Sequence, residues 1–319
     1  MCAFERSEKG MKFNMKINFL KYRHLFIIFS LLIIVGGITY GLITGYKFDV
    51  DFKGGTKIEA NINEEFNNDE IQNVVFEITN EKPLIQKVTG GNNAVSITCS
   101  PMDEETSDKV VEALKAKYVN MDEPSVRNVQ ASYGKDLLNS ALIAVVVAVA
   151  LILIYVAIRF KTLGFPAAIT AIIALIHDVL FIIAIYGIIK FPINTTFVAV
   201  VLTIIGYSIN DTIIVYDRIR ENKKKVTRSK DLLETINLSI SQVLNRTIIT
   251  SLTTVVAVIV VYIFAVINNQ QTLKEFSLPL IIGVVVGTYS SLFIASSLWY
   301  SLEKAIDKFK AKKGKKKKA

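Results

Sequence analysis

Long apolar runs separated by short charged breaks dominate the chain, and one amphipathic interval interrupts them. Runs of about twenty apolar residues, enough to cross a hydrocarbon core at about 1.5 Å per residue, fall at 24–44, 137–158, 165–189, 195–216, 246–267 and 277–300. They predict a polytopic α-helical membrane protein with six transmembrane helices and both termini on one side. The interval between the first two spans has shorter periods. Lys57 to Asn61 alternates as a strand, and after the capping residue Asn68 the positions Ile71, Val74, Val75 and Ile78 recur at helical spacing. Leu84 to Val88 and Ala94 to Thr98 read as strands joined by Gly90-Gly-Asn-Asn93, a hairpin signal. Asp103 to Tyr118 carries Val110, Val111, Leu114 and Tyr118 on one helical face, and Ser125 to Val129 supplies a last strand. Strand, helix, strand, strand, helix, strand is the order of an α+β ferredoxin-like domain, and roughly 85 residues suffice for its own core.

Charge orients this plan. The formal net charge is +9, and the bases cluster at one set of span ends. Arg6, Lys9, Lys12, Lys16, Lys21 and Arg23 precede span one, Arg159 and Lys161 divide spans two and three, a basic loop divides spans four and five, and a lysine tail closes the chain. The positive-inside rule makes that face cytoplasmic and the acid-rich interval extracytoplasmic. The expected organisation is a cytoplasmic segment 1–23, span one at 24–44 and an extracytoplasmic domain at 45–136. Spans two to six then occupy 137–302 with a cytoplasmic loop at 217–245, and a basic cytoplasmic tail takes 303–319. Cys2 and Cys99 fall on opposite sides and cannot pair.

Candidate chemistry lies where polar groups enter apolar runs. Asp211 sits inside span four, where an ionised carboxylate costs about 2.5–3.5 kcal/mol and therefore calls for a partner, a cavity or an ion path. Helical spacing puts Thr203, Tyr207, Asn210 and Asp211 on one side, a stripe expected to face protein. His177 and Asp178 adjoin in the middle of span three, either as a hydrogen-bonded packing pair or as a proton relay. In span five Arg246, Thr250, Thr253 and Ala257 form a polar or small stripe. Arg246 matches Asp211 in depth, so it either meets that carboxylate or snorkels to headgroups. Gly37, Gly41 and Gly45 in span one, and Gly283, Gly287, Ser291 and Ala295 in span six, read as close-packing seams. Asp49 and Asp51 lack the further ligands a metal site needs and read as turn residues, so neither metal nor cofactor is expected. The amphipathic interval has no histidine, no nucleophile with a base and no phosphate loop, and the whole chain lacks a nucleotide-binding loop. Binding or mechanical work is expected of the domain, not enzyme catalysis, with its end segments Tyr46–Thr56 and Gln130–Lys135 acting as hinges.

Several of these segments together resemble the SecF subunits of the bacterial Sec protein-export machinery, within the resistance-nodulation-division group of proton-driven membrane proteins. They are Asp51-Phe-Lys-Gly-Gly-Thr56, Ile176-His-Asp-Val179, Gly206-Tyr-Ser-Ile-Asn-Asp-Thr212, Asp217-Arg-Ile-Arg-Glu-Asn222, Asn245-Arg-Thr-Ile-Ile-Thr-Ser-Leu-Thr-Thr254 and Gly287-Thr-Tyr-Ser-Ser-Leu-Phe-Ile-Ala295. The resemblance implies a multi-pass subunit of the bacterial inner membrane that pairs with SecD and associates with the SecYEG channel. It would use the proton-motive force to draw translocating polypeptide outward. It assigns proton coupling to Asp211, Arg246, His177 and Asp178, with Tyr207, Asn210 and Thr250 as a supporting polar face. Asp51, Gly54, Gly55, Asp217, Arg218 and Arg220 are the structural motif residues. Anionic lipids are expected at the lysine run after Lys310, and no nucleic acid is expected as a partner. The rival readings are a proton-coupled small-molecule exporter and a structural membrane subunit.

Overall fold

The structure, a computed structural model, describes residues 19–88, 93–159, 163, 165–225, 232–268 and 270–316. A single 3-10 turn at Phe19–Tyr22 feeds α1 (Arg23–Thr44). The short helix α2 (Val50–Lys53) leads into β1 (Gly55–Asn61), α3 (Asn68–Thr79), β2 (Leu84–Val88), β3 (Ala94–Cys99), α4 (Glu104–Lys117) and β4 (Ser125–Val129). There follow α5 (Ala131–Arg159), α6 (Phe165–Ile189), α7 (Thr195–Lys225), α8 (Leu232–Ile267) and α9 (Gln271–Tyr289). The last helix widens into a π-helical turn over Ser290–Ala295 and continues as α10 (Ser296–Lys316). Among the described residues six helices are long and apolar enough to cross a membrane: Leu20–Thr44, Ser132–Arg159, Pro166–Ile189, Thr195–Lys224, Leu232–Ile267 and Gln271–Ile306.

The four strands form one antiparallel sheet in the order β2-β3-β1-β4. Alternation divides its faces. Ile58, Ala60, Val95 and Ile97 pack with Ile71 and Val75 of α3 and with Val110 and Leu114 of α4, forming a closed core. Lys57, Glu59, Gln86, Ser96 and Thr98 fall on the other face, toward the bundle. Asn67, not Asn68, caps α3, its side chain accepting from Asp69 N. The expected Gly90–Asn93 turn lies almost wholly outside the described residues, though the strands flanking it do pair from Leu84↔Thr98 to Val88↔Ala94.

In the bundle, α6, α7 and α9 occupy the centre. The apolar window of α5 is only 6% buried against 50% for that of α7, so α5 turns nearly all its apolar surface outward. Where α1 meets α6, a Cβ on Gly37 would fall 2.7 Å from Ala184 Cβ and 2.8 Å from its carbonyl oxygen, so the contact requires glycine. The expected three-glycine seam stops short of Gly45, which instead ends α1 in a left-handed conformation with φ 77°.

Two expectations change. Of the loop expected at 217–245 the described residues are helical: α7 runs on to Lys225 and α8 starts at Leu232. Polar residues end the apolar run without ending the helix, because side chains such as Arg218 and Glu221 pair along it at 2.6 Å. Gln130–Lys135 is not a free hinge either, since α5 begins at Ala131, one residue beyond β4. On the entry side Phe48 bridges Ile193, and Asp49 N donates to Ile193 O at 3.0 Å, so that segment is pinned to the α6–α7 connection.

Candidate functional site

Two buried carboxylates stand at the centre of the bundle. Asp178 on α6 is fully buried, and its Oδ2 accepts from Ser208 Oγ on α7 at 2.5 Å and from Ser290 Oγ at 2.8 Å. Its Oδ1 lies 2.9 Å from His177 Nδ1, and His177 Nε2 meets Ser30 Oγ on α1. A neutral imidazole satisfies both contacts by donating from Nδ1 to the carboxylate and accepting the serine proton at Nε2. Hydrogen bonds to a charged group stabilise by about 1.5–3 kcal/mol each, so this set offsets part of the desolvation of the carboxylate. A chain of polar contacts thus crosses from α1 through α6 to α7 and the π turn.

Asp211 on α7 is 1% exposed, and its Oδ2 accepts from Thr288 Oγ1 at 3.1 Å. Ser251 Oγ on α8 lies 2.5 Å from Thr288 Oγ1 and accepts from Tyr207 OH at 3.4 Å. One turn away, Thr212 Oγ1 and Ser291 Oγ are 2.8 Å apart, and Ser291 Oγ donates to Ser208 O at 3.1 Å. Ser208, which serves Asp178, and Asp211 itself therefore stand one turn apart on α7, and Ser290 and Thr288, which serve the two carboxylates, stand two residues apart on the last helix. Such a π-helical widening recurs at functional sites, and here it carries Ser290 and Ser291 toward their partners.

Arg246 stands apart from this cluster. It is exposed and has no ion pair among the described residues; it lines a cavity of about 620 Å³ with Asp217, Arg218, Arg220, Glu221 and Gln242. The cross-helix contacts Tyr207–Ser251 and Arg218–Gln242 set the register of α7 against α8 and leave Arg246 just beyond Asp211 toward the α7–α8 connection. The expected match in depth is thus nearly met, but no ion pair joins the two side chains. The expected polar stripe of α7 also divides. Asp211 is buried and Tyr207 half-buried, whereas Thr203, Gly206 and Asn210 are exposed. On α8, Arg246, Thr250, Thr253 and Ala257 are exposed as well. Thr250 bonds only along its own helix, to Arg246 O and Thr247 O at 3.0 Å.

The motif residues weld the parts together. Asp49 caps α2 through Val50 N and accepts from Lys57 Nζ at 3.1 Å. Asp51 Oδ2 accepts from Thr195 N at 3.0 Å and Thr195 Oγ1 at 2.6 Å, which ties the start of α7 to the segment before the sheet. Gly54 and Gly55 have φ of 76° and 143°, and a Cβ on Gly55 would lie 2.7 Å from Cys99 O. Lys57 is buried within reach of three carboxylates, Glu59 at 2.8 Å, Asp49 at 3.1 Å and Glu275 of α9 at 3.9 Å. Burial works to lower its pKa, but Glu59, Glu275 and Asp49 together outweigh that and hold it above the ordinary lysine value. At the far end of the bundle Asp217 pairs with Arg159 of α5 and, at 3.1 Å, with Arg220. Arg218 Nε donates to Gln242 of α8 at 2.7 Å.

The hydroxyl partners Ser30, Ser208, Ser251, Thr288 and Ser290 escape the sequence reading. Ser208, Ser251, Thr288 and Ser290 enter it only inside the segments that carry the family resemblance, without a role of their own, and Thr288 and Ser290 also belong to the run of serine and threonine in span six at 288, 290, 291, 296 and 297.

Comparison with known proteins identifies the family. The family profile described as "Protein export membrane protein SecD/SecF, C-terminal" matches residues 109–305. The chain is 33% identical over 305 residues to protein translocase subunit SecF of Haemophilus influenzae, covering 94% of this chain and 90% of that one. It is 34% identical to the SecF subunit of Borreliella burgdorferi, covering 91% and 98%. Against the SecDF subunit of Bacillus subtilis the identity is 36%, over 89% of this chain and 38% of the longer protein. The crystal structure of SecDF, a translocon-associated membrane protein from Thermus thermophilus, superposes with a TM-score of 0.79 at 29% identity, covering 91% of this chain and 39% of that one. The chain belongs to the SecD/SecF family of protein-export membrane proteins, as a SecF-like translocation subunit.

Proposed function

We propose that this chain, paired with a SecD partner, spends the proton-motive force on moving polypeptide through a SecYEG channel, and that Asp211 is the group that takes up and releases the proton. The observation that carries this reading is the placement of Asp211 and Asp178 in the apolar centre of the bundle, each held by hydroxyls from a neighbouring helix. A carboxylate so placed gains or loses its proton when those hydroxyls move. His177 and Asp178 extend the polar chain toward α1. Arg246 acts with Asp211 when the partner covers the exposed polar stripe of α7 and α8, where Asn210 and Thr250 would face that partner. Fused SecDF relatives support such a pairing. The four-stranded unit is a ferredoxin-like extracytoplasmic domain that engages the emerging polypeptide, with both termini cytoplasmic in the bacterial inner membrane. Anionic lipid meets the basic tail.

Each proton crossing about 100 mV releases about 2.3 kcal/mol, a bias of up to about fiftyfold between two domain orientations. Asp211→Asn, assayed in vesicles holding the full translocase with and without a proton gradient, is expected to abolish the gradient-dependent part of late export and to spare assembly. Arg246→Gln should do the same, and the double variant should cost little more than either single one. Gradient-dependent export that survives Asp211→Asn would refute the assignment and favour a structural subunit.

A further inference from the structure

Between the polar face of the sheet and the adjacent ends of the membrane helices lies a cavity of about 500 Å³. Its walls hold six lysines, Lys47, Lys53, Lys57, Lys87, Lys190 and Lys274, against three carboxylates, Asp49, Glu59 and Glu275. All three carboxylates gather on Lys57 and the other five lysines have no ion pair among the described residues; of these, Lys190 Nζ donates to Thr44 Oγ1 and Gly45 O, and Lys87 Nζ turns to the opposite face of the sheet over the Phe66 ring, which leaves Lys47, Lys53 and Lys274. Lys274 is 6% exposed and Ser96 5%, yet Lys274 Nζ and Ser96 Oγ have no hydrogen-bond partner among the described residues, nor has the acceptor Gln271 Oε1 of the same lining. Buried donors are rarely left unmet, and here two of them line one space. The first turn of α9 opens on the same space, and its N-cap, Gln270, provides no side-chain bond to the free backbone N–H groups. Ammonium groups, a hydroxyl and a helix N-terminus together form a donor set for an oxyanion.

The level of the cavity identifies the oxyanion further. It is walled by the last residues of α1, by Lys190 just beyond α6, by Tyr262 near the end of α8 and by the start of α9, the plane where hydrocarbon gives way to headgroups. Just inside that plane Leu42 and Ile43 of α1 and Ile188 and Ile189 of α6 are exposed, an apolar surface suited to acyl chains beside a basic opening. We infer that the cavity binds a phosphate group, presented by the headgroup of an anionic phospholipid, at the junction of the sheet with the bundle.

The test uses the full chain, stripped of lipid in neutral detergent. It is titrated with short-chain phosphatidylglycerol, with short-chain phosphatidylcholine and with inorganic phosphate, and retained adducts are read by native mass spectrometry. Stoichiometric phosphatidylglycerol is expected, bound more tightly than phosphatidylcholine and weakened about fivefold for each lysine removed. Lys274→Gln probes the buried donor, and Lys47→Gln with Lys53→Gln probes the exposed rim without touching the interior, so the rim pair decides should Lys274→Gln fail to fold. Displacement of the lipid by millimolar inorganic phosphate would keep the site and make free phosphate its source. Binding of neither phosphate compound, equal binding by the wild type and the variants, or retention of polypeptide in place of lipid would overturn the inference.

Discussion

Replacing Lys57 by methionine keeps most of the volume of the side chain but removes the one cation on which Glu59, Asp49 and Glu275 converge. The lysine side chain is 7% exposed, so its ion pairs are not screened as surface pairs are. Breaking a buried ion pair by removing one partner costs about 3–5 kcal/mol, because the remaining charges stay desolvated. Lys57 lies in β1, the strand that pairs with both β3 and β4, and Glu275 lies in the second turn of α9. The loss should therefore fall on the junction between the sheet and the bundle more than on the core of either. At about 1.4 kcal/mol per tenfold, backbone amides of β1 and of the first turns of α9 should exchange with deuterium roughly a hundredfold to a thousandfold faster in nanodiscs. Amides in α6 and α7 should change little. Adding Glu59→Gln to Lys57→Met should recover part of the protection, since it removes one uncompensated charge.

The pH dependence carries its own sign. The pKa of Lys57 is raised in the folded protein, so the stability it contributes is fully present below the ordinary lysine value of 10.5 and is lost as pH rises through the higher folded value. Junction protection in the wild type should then be independent of pH around neutrality, with the Lys57 contribution fully present, and fall only in strong alkali. Exchange in Lys57→Met within about threefold of the wild type at neutral pH would refute the reasoning, since water would then be screening the cluster.

Two further outcomes follow from the same junction. Gly55→Ala forces a Cβ to within 2.7 Å of Cys99 O at a φ of 143°, and should destabilise the sheet by about 1–3 kcal/mol in thermal unfolding; an unchanged midpoint would show that β1 shifts freely. Phe48 and Ile193 form a bridge between the segment entering the sheet and the α6–α7 connection, so Phe48→Cys with Ile193→Cys should oxidise readily. If export requires the sheet to turn on the bundle, the oxidised protein should stall and reduction should restore it, whereas full export by demonstrably oxidised protein would make the junction a fixed mount.

Hydropathy was enough to find the six spans and period-two alternation enough to find the strands, because both record burial along a single element. The limits of the membrane helices were less legible. Past residue 216 the chain turns polar, yet Arg, Glu and Lys are good helix formers, so α7 continues to Lys225 where hydropathy alone ends it. Arg246 shows a different limit. Residue count set its depth near Asp211 correctly, but the direction of a side chain around its helix depends on how the two helices are rotated against each other, and packing turned Arg246 outward.

His177, Asp178 and Asp211 were legible because an ionisable group in an apolar run is conspicuous by itself. Their hydroxyl partners were not, since a serine or threonine in a membrane helix can satisfy itself on the carbonyl four residues back, as Thr203 does on Ala199 and Thr250 on Arg246. Residue type does not separate those from Ser208 and Ser290, which donate across helices. What separates them is the packing of α7 on the last helix, where Thr288 serves Asp211 and Ser290 serves Asp178 from one continuous segment. Any slide of that segment along α7 changes the hydrogen bonding of both carboxylates at once. Two groups that look independent in the sequence, 33 positions apart by their numbers 178 and 211, are thereby subject to the same motion.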